Sequence, residues 1–185
     1  MSPVAGPLPH GGPTLCGPNG VPGIVRIHGR AWRAAYDGLL SAAALEDVVA
    51  VEPTEADVER WLEELRKSDA VLVATGDRIV GFADFRWSER TKPFVGDDEA
   101  GLKAIYVDPD RWERGVGTAL LSAGLDALPD SVERLRLEVL ADNDRARRFY
   151  ETRGFERTGS RTVELAGEHY PAAVYALEVG ADTVW

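Results

Sequence analysis

KAIYVDPDRWERGVGTALL, residues 103–121, carries the reading on which the rest of the chain depends. Ala104-Ile105-Tyr106-Val107 is β-branched and aromatic and suits a pleated surface. Asp108-Pro109-Asp110 stops that strand, because Pro109 lacks an N–H and biases Asp108 away from the helical region. Arg114-Gly115-Val116-Gly117-Thr118 then leads into the helical apolar run Ala119, Leu120, Leu121 and Leu125. Glycines ahead of a helix let the backbone come close to a ligand, and the first-turn N–H groups have no partner inside the helix. The helix dipole adds partial positive charge at that end. The stretch therefore predicts a phosphate or diphosphate cradle.

Two common phosphate motifs are excluded by residue identity. A P-loop requires Lys-Ser/Thr after its last glycine, and Thr118-Ala119 stands there. A dinucleotide fingerprint requires a third glycine where this chain has Leu120. What remains, Gly-x-Gly-x-x-Leu-Leu behind a strand ending Val107-Asp108-Pro109, resembles the acetyl-CoA motif of the GNAT superfamily of N-acetyltransferases. A second stretch, LRLEVLADNDRARRFYETRGF over residues 135–155, strengthens the resemblance. Leu135, Leu137 and Val139 alternate with Arg136 and Glu138 as in a half-buried strand. Asp142 or Asn143 can cap the next helix, and Gly154 sits where a helix C-terminal glycine belongs. The spacing Asn143-x-x-Ala146-x-x-Phe149-Tyr150-x-x-x-Gly154-Phe155 matches the family's signature at this place. One position departs: the family carries Gln or Arg three residues before the first loop glycine, and here it is Trp112.

The resemblance implies a set of roles. The amides of Gly115, Val116, Gly117 and Thr118 would hold the CoA diphosphate, with Arg114 as a guanidinium beside it. Backbone groups of Ile105, Tyr106 and Val107 would bind the pantetheine arm and thioester carbonyl in a gap between two splayed strands. Asn143 would contact the same arm, or act only as a helix cap. Tyr150 would protonate the departing thiolate, since a phenol with an ordinary pKa of about 10 stays protonated at neutral pH; the alternative is a core aromatic beside Phe149. Glu138 is the candidate base, directly or through water, against the plainer reading of a solvated or paired strand charge. Trp32 and Tyr36, one helical turn apart, either border the amine acceptor or belong to the core. Arg111, Arg145, Arg147 and Arg148 add positive charge near both motifs.

Composition bounds the remaining classes. At 185 residues with 44% hydrophobic residues, one domain with a real core is expected. A formal charge of −10 argues against general nucleic-acid binding. Lysine is scarce, with Lys67, Lys92 and Lys103 the three present. A single cysteine, Cys16, forbids an internal disulfide, and His10, His28 and His169 form no metal spacing. No apolar run has a membrane span's length, and the N-terminus lacks a signal-peptide pattern, so a cytoplasmic protein is expected.

In chain order, residues 1–23 read as a flexible Pro/Gly-rich leader and 24–185 as a single N-acetyltransferase domain. The family's first strand has no clear counterpart; either Gly23 to Val25 supply a stub or the sheet begins one strand short. Helices are predicted over Ile24 to Leu40 and Thr54 to Arg66, with Ser41 to Ala50 helical or irregular. A hairpin follows over Ala70 to Phe85, and Trp87 to Ala100 reads as a polar loop. The remaining strands fall at Leu135 to Leu140, Phe155 to Arg161 and Tyr170 to Val179. This is an α+β pattern: a mixed, mostly antiparallel sheet with helices on both faces and a splayed cofactor-binding pair. The implied activity is direct acetyl transfer from acetyl-CoA to a primary amine, on a small molecule or a protein N-terminus, without a metal. A non-catalytic acyl-CoA sensor on the same fold is the main alternative, and a nucleotide-binding protein a third. The resemblance also admits a homodimer, although no stretch of sequence marks an interface.

Overall fold

The strands are short, β-rich runs separated by turn residues, and they assemble into one sheet. The computed structural model describes residues 12–49, 52–88 and 92–180. Its strands are β1 (Thr14–Leu15), β2 (Ala70–Thr75), β3 (Ile79–Arg86), β4 (Glu99–Val107), β5 (Arg134–Leu140), β6 (Glu156–Leu165) and β7 (Glu168–Glu178). The helices are α1 (Val21–Tyr36), α2 (Ala42–Val48), α3 (Glu55–Leu65), α4 (Val116–Asp126) and α5 (Asp144–Glu151). The sheet order is β1-β2-β3-β4-β5-β7-β6. Neighbours are antiparallel except β4 and β5, which are parallel and joined through α4. The fold is α+β, with helices packed on both faces of a mostly antiparallel sheet.

Alternation along the strands decides what each face buries. Phe82 on β3 packs with Ile24, Ile27 and Val73 under α1, with Trp61 and Leu65 of α3 against them. Ala83 and Phe85 enter the opposite layer with Leu120 and Leu121 of α4 and Tyr150 of α5. Gly124 lets α4 lie directly on β3: a Cβ there would come within 1.9 Å of the Phe85 ring. On β4 the alternation is reset. Asp84 pairs with Ala104 but Phe85 with Leu102, leaving Lys103 as a bulge. Leu102 and Ile105 therefore share the α4 side, whereas Ala104 and Tyr106 turn towards α1.

Local signals set the helices well. Thr54 and Asp57 form a reciprocal capping box at α3, and the Ser41 side chain accepts from Ala44 N at α2. Three boundaries depart from expectation. The first strand exists as the pair Thr14↔Val73 and Leu15↔Leu72. Gly23 to Val25, the proposed stub, lie inside α1, where Pro22 occupies a first-turn position that needs no N–H donor. Of the expected leader, residues 1–11 lie outside the described residues, and from Thr14 the chain takes up regular structure. Next, α1 ends at Tyr36 rather than Leu40, because Gly38 turns the chain with φ 76°. Finally, β4 begins at Glu99, inside the stretch read as a loop. The Glu99 carboxylate accepts from Gly96 N (2.8 Å) and pairs with Arg134 (3.6 Å) and Arg136 (3.3 Å), which makes an acidic strand start tolerable in a buried place.

Candidate active site

β4 and β5 pair over three couples only, Glu99↔Arg134, Ala100↔Leu135 and Gly101↔Arg136. Beyond them β4 continues to Val107 and β5 to Leu140 without pairing to each other. A cleft of about 860 Å³ fills the gap, lined on one side by Leu102 to Val107 and on the other by Glu138 to Leu140. The mouth of α4 opens on the same cleft through Gly115, Val116, Gly117 and Thr118. The helix's first backbone bond at this end runs from Ala119 N to Gly115 O (2.9 Å), so the preceding amides have no helical acceptor. Such an end is an anion site by geometry and dipole.

The two glycines have separate physical reasons. Gly115 caps α4 with φ 80°, a left-handed conformation that strains any L side chain. Gly117 leaves room for packing: a Cβ would meet the Phe149 ring of α5 at 3.1 Å, so the ring would have to give by a few tenths of an ångström. The turn feeding the loop is anchored by Asp108, which caps Asp110 N (3.2 Å) and pairs with Arg30 (3.0 Å) and Arg78 (3.5 Å). Trp112, at the position that departs from the resemblance, donates its indole N–H to Val107 O (2.9 Å) and lies under the Arg145 guanidinium (4.5 Å to the ring). Arg145 also pairs with Glu113 (3.0 Å).

Of the expected phosphate contacts, Arg114 is exposed and does not line the cleft. Arg111, Arg145 and Arg148 do line it, as does Arg153, which the sequence reading passed over. Arg153 sits 3.8 Å above the Phe149 ring and donates to Thr118 Oγ1 (2.5 Å) and Phe149 O (2.7 Å). Burial lowers its pKa. No local pattern marks it; only the fold brings the end of α5 back to the α4 mouth.

The candidate acid and base approach the gap from opposite faces. Tyr150 belongs to the α4 layer, against Phe149, Phe155 and Tyr175 at 5.3, 5.4 and 6.5 Å between ring centroids. Burial first, and the nearby Tyr36 second, push its hydroxyl well above the ordinary phenol range. Glu138 alternates with buried Leu137 and Val139 and so faces the other side. Its carboxylate is engaged by Lys92 at Oε1 and by Arg161 at Oε2 (3.3 Å). Lys92 was not singled out from the sequence. Burial lowers its pKa, opposed by the hydrogen bond to Glu138.

Asn143 is a helix cap that borders the cleft. Its side chain accepts from Ala146 N (3.0 Å), capping α5, and it lines the cleft beside Tyr36. Trp32 and Tyr36 are core residues that also line the cleft, each 8% exposed. Burial raises the Tyr36 pKa, partly offset by its contacts with Asn143 and Tyr106. Trp32 meets Tyr36 edge-on (4.7 Å between ring centroids) and His28 at a tilt (5.1 Å), and His28 also meets Trp61 (4.8 Å) and Tyr106 (5.2 Å) edge-on. Burial, with Lys103 as a secondary cause, lowers the His28 pKa to about 3, so its ring is neutral.

This splayed pair and helix mouth correspond to a known family: the acetyltransferase (GNAT) family model matches residues 32–155. The chain belongs to the GNAT family. Mycothiol acetyltransferase of Kineococcus radiotolerans is 34% identical over 146 residues, which cover 75% of this chain and 46% of that protein. N-alpha-acetyltransferase RimI of Mycobacterium tuberculosis is 39% identical over 87 residues, 47% of this chain and 51% of that protein. The GNAT chain thus spans about half the length of these relatives, or less. Among solved structures, PaiA N-acetyltransferase from Thermoplasma acidophilum, in complex with coenzyme A, shares the fold. Its TM-score is 0.64 at 17% identity, covering 87% of this chain and 96% of that one. Among the described residues of this GNAT chain, no helix is long and apolar enough to cross a membrane.

Proposed function

We propose that this GNAT domain transfers the acetyl group of acetyl-CoA directly to a primary amine, on a small molecule or a protein N-terminus. The observation that carries the reading is a convergence: the α4 amide mouth, Tyr150 and Glu138 all open on the one cleft between β4 and β5. The amides of Val116, Gly117 and Thr118 donate hydrogen bonds to the diphosphate, with Arg111, Arg145, Arg148 and Arg153 around them. The unpaired edge of β4 from Ile105 to Val107 offers backbone groups to the pantetheine arm, as does Asn143. The coenzyme A complex of a fold relative and the names of the curated relatives support the cofactor class.

In the reaction the neutral amine attacks the thioester carbonyl, a C–N bond forms and the C–S bond breaks. The thiolate takes the Tyr150 proton. The nitrogen's proton passes to Glu138 through water, because Lys92 already occupies Oε1. Trp32 and Tyr36 border the acceptor. The ion pairs of Glu138 with Lys92 and Arg161 also favour a second reading, a CoA-binding sensor without turnover. Tyr150→Phe separates them. An enzyme of this kind loses free-thiol release with its amine while its CoA affinity holds; a sensor releases no thiol from any amine in either form.

A further inference from the structure

Lys92 sets a primary amine against the carboxylate that the proposed mechanism uses as its base. Its Nζ donates to Glu138 Oε1, two residues past the last β4–β5 couple, and Lys92 lines the same cleft as Tyr150 and the α4 mouth. The side chain is three-quarters covered, with 25% exposed, and its ammonium lies 5.7 Å from the Phe94 ring. Burial favours the neutral amine. Of the two other lysines, Lys67 is exposed and paired to Glu64 (2.6 Å) outside the cleft, whereas Lys103 lines the same cleft but is exposed at the β4 bulge.

We propose that Lys92 is itself an acetyl acceptor, modified by its own active site. The inference rests on the acetyl-CoA reading above. Nζ first gives its ammonium proton to solvent; the neutral amine then attacks the thioester carbonyl, the N–C bond forms as the C–S bond breaks, and CoA leaves as a thiol with the Tyr150 proton. The proton released from nitrogen passes to Glu138 and, through water, restores Tyr150. The product amide carries no charge, so Oε1 of Glu138 loses its ammonium while Arg161 remains on Oε2.

The test is to incubate the full chain with acetyl-CoA and no added amine, then follow intact mass and map modified peptides. Acetyl-CoA's effect on thermal unfolding is measured in parallel. The expected result is one acetyl group on Lys92, formed about tenfold or more faster than on Lys67 or Lys103, a gap of about 1.4 kcal/mol in barrier. Tyr150→Phe and Glu138→Gln should each slow it. Simple chemical acetylation would follow exposure and mark Lys67 first; that pattern overturns the proposal. So does an unmodified Lys92 in a protein that acetyl-CoA stabilises, an outcome that leaves the acetyltransferase reading standing. If acetyl-CoA neither stabilises nor modifies the chain, both readings fall. Lys92→Arg, which keeps the cation on Glu138, should still be stabilised by acetyl-CoA and accept no acetyl group at position 92.

Discussion

Asp108, 2% exposed at the exit of β4, is held by Arg30 of α1 at 3.0 Å. The contact ties the helix carrying Trp32 and Tyr36 to the turn that delivers the α4 mouth. Arg30 also reaches Asp110 (3.0 Å), and Arg78 reaches Asp108 from the β2–β3 turn (3.5 Å). Asp108→Asn removes the charge both guanidiniums answer to. Both are partly solvated, so the expected cost is about 1–3 kcal/mol, below that of stranding a fully buried ion. Chemical denaturation should show that loss, with weaker CoA binding alongside it. An unchanged midpoint and affinity would remove Asp108 from the account.

The glycines of the mouth should respond differently to alanine. Gly115→Ala forces a side chain into φ 80°, at a cost of about 1–2 kcal/mol. Gly117→Ala instead puts a methyl 3.1 Å from Phe149 and shifts the contact between α4 and α5. Denaturation should register the first more strongly. CoA titration should register both, and a Gly117→Ala protein binding CoA as tightly as the wild type would contradict the packing described.

His28 makes stability depend on pH. An exposed histidine titrates near about 6.5, whereas the folded chain holds His28 at about 3. Between those values the unfolded chain binds a proton that the folded chain refuses. Stability therefore falls as pH drops through that window, by up to about 1.4 kcal/mol per pH unit from this group. His28→Phe keeps a ring among Trp32, Trp61 and Tyr106 and should flatten the acid side of the curve. An identical slope in wild type and variant would refute the assignment.

Tyr150 should set no alkaline limit on catalysis. Its raised pKa keeps the phenol protonated beyond the ordinary value of about 10, so the acid form persists as pH rises to that point. The kcat–pH profile should then show no falling limb below about pH 10. A falling limb near pH 8 in the wild-type profile would show the phenol titrating early.

What was legible in the sequence is what short-range chemistry decides. The α4 mouth follows from Pro109, the glycines and the apolar run, and the Asn143 cap from a polar residue three before the Ala146 amide it holds. The reason given for Gly117, close approach to a ligand, was incomplete, because Phe149 lies 32 positions on and meets it only in the folded chain. Asp97-Asp98-Glu99 read as loop because the cations that admit Glu99 to β4, Arg134 and Arg136, come from a strand across a crossover. Lys92 on Glu138, Arg145 on Trp112 and the Tyr36–Asn143 contact are equally nonlocal. Sequence patterning places such residues on elements but not against one another.

The grip of the α4 amides on a diphosphate is tested most directly by calorimetric titration of the intact protein with CoA and with pantetheine, which lacks the diphosphate and nucleotide. The account predicts that CoA binds and that pantetheine loses about 100-fold or more in affinity, some 2.7 kcal/mol. Equal affinity for the two, or no binding of CoA at all, would contradict it.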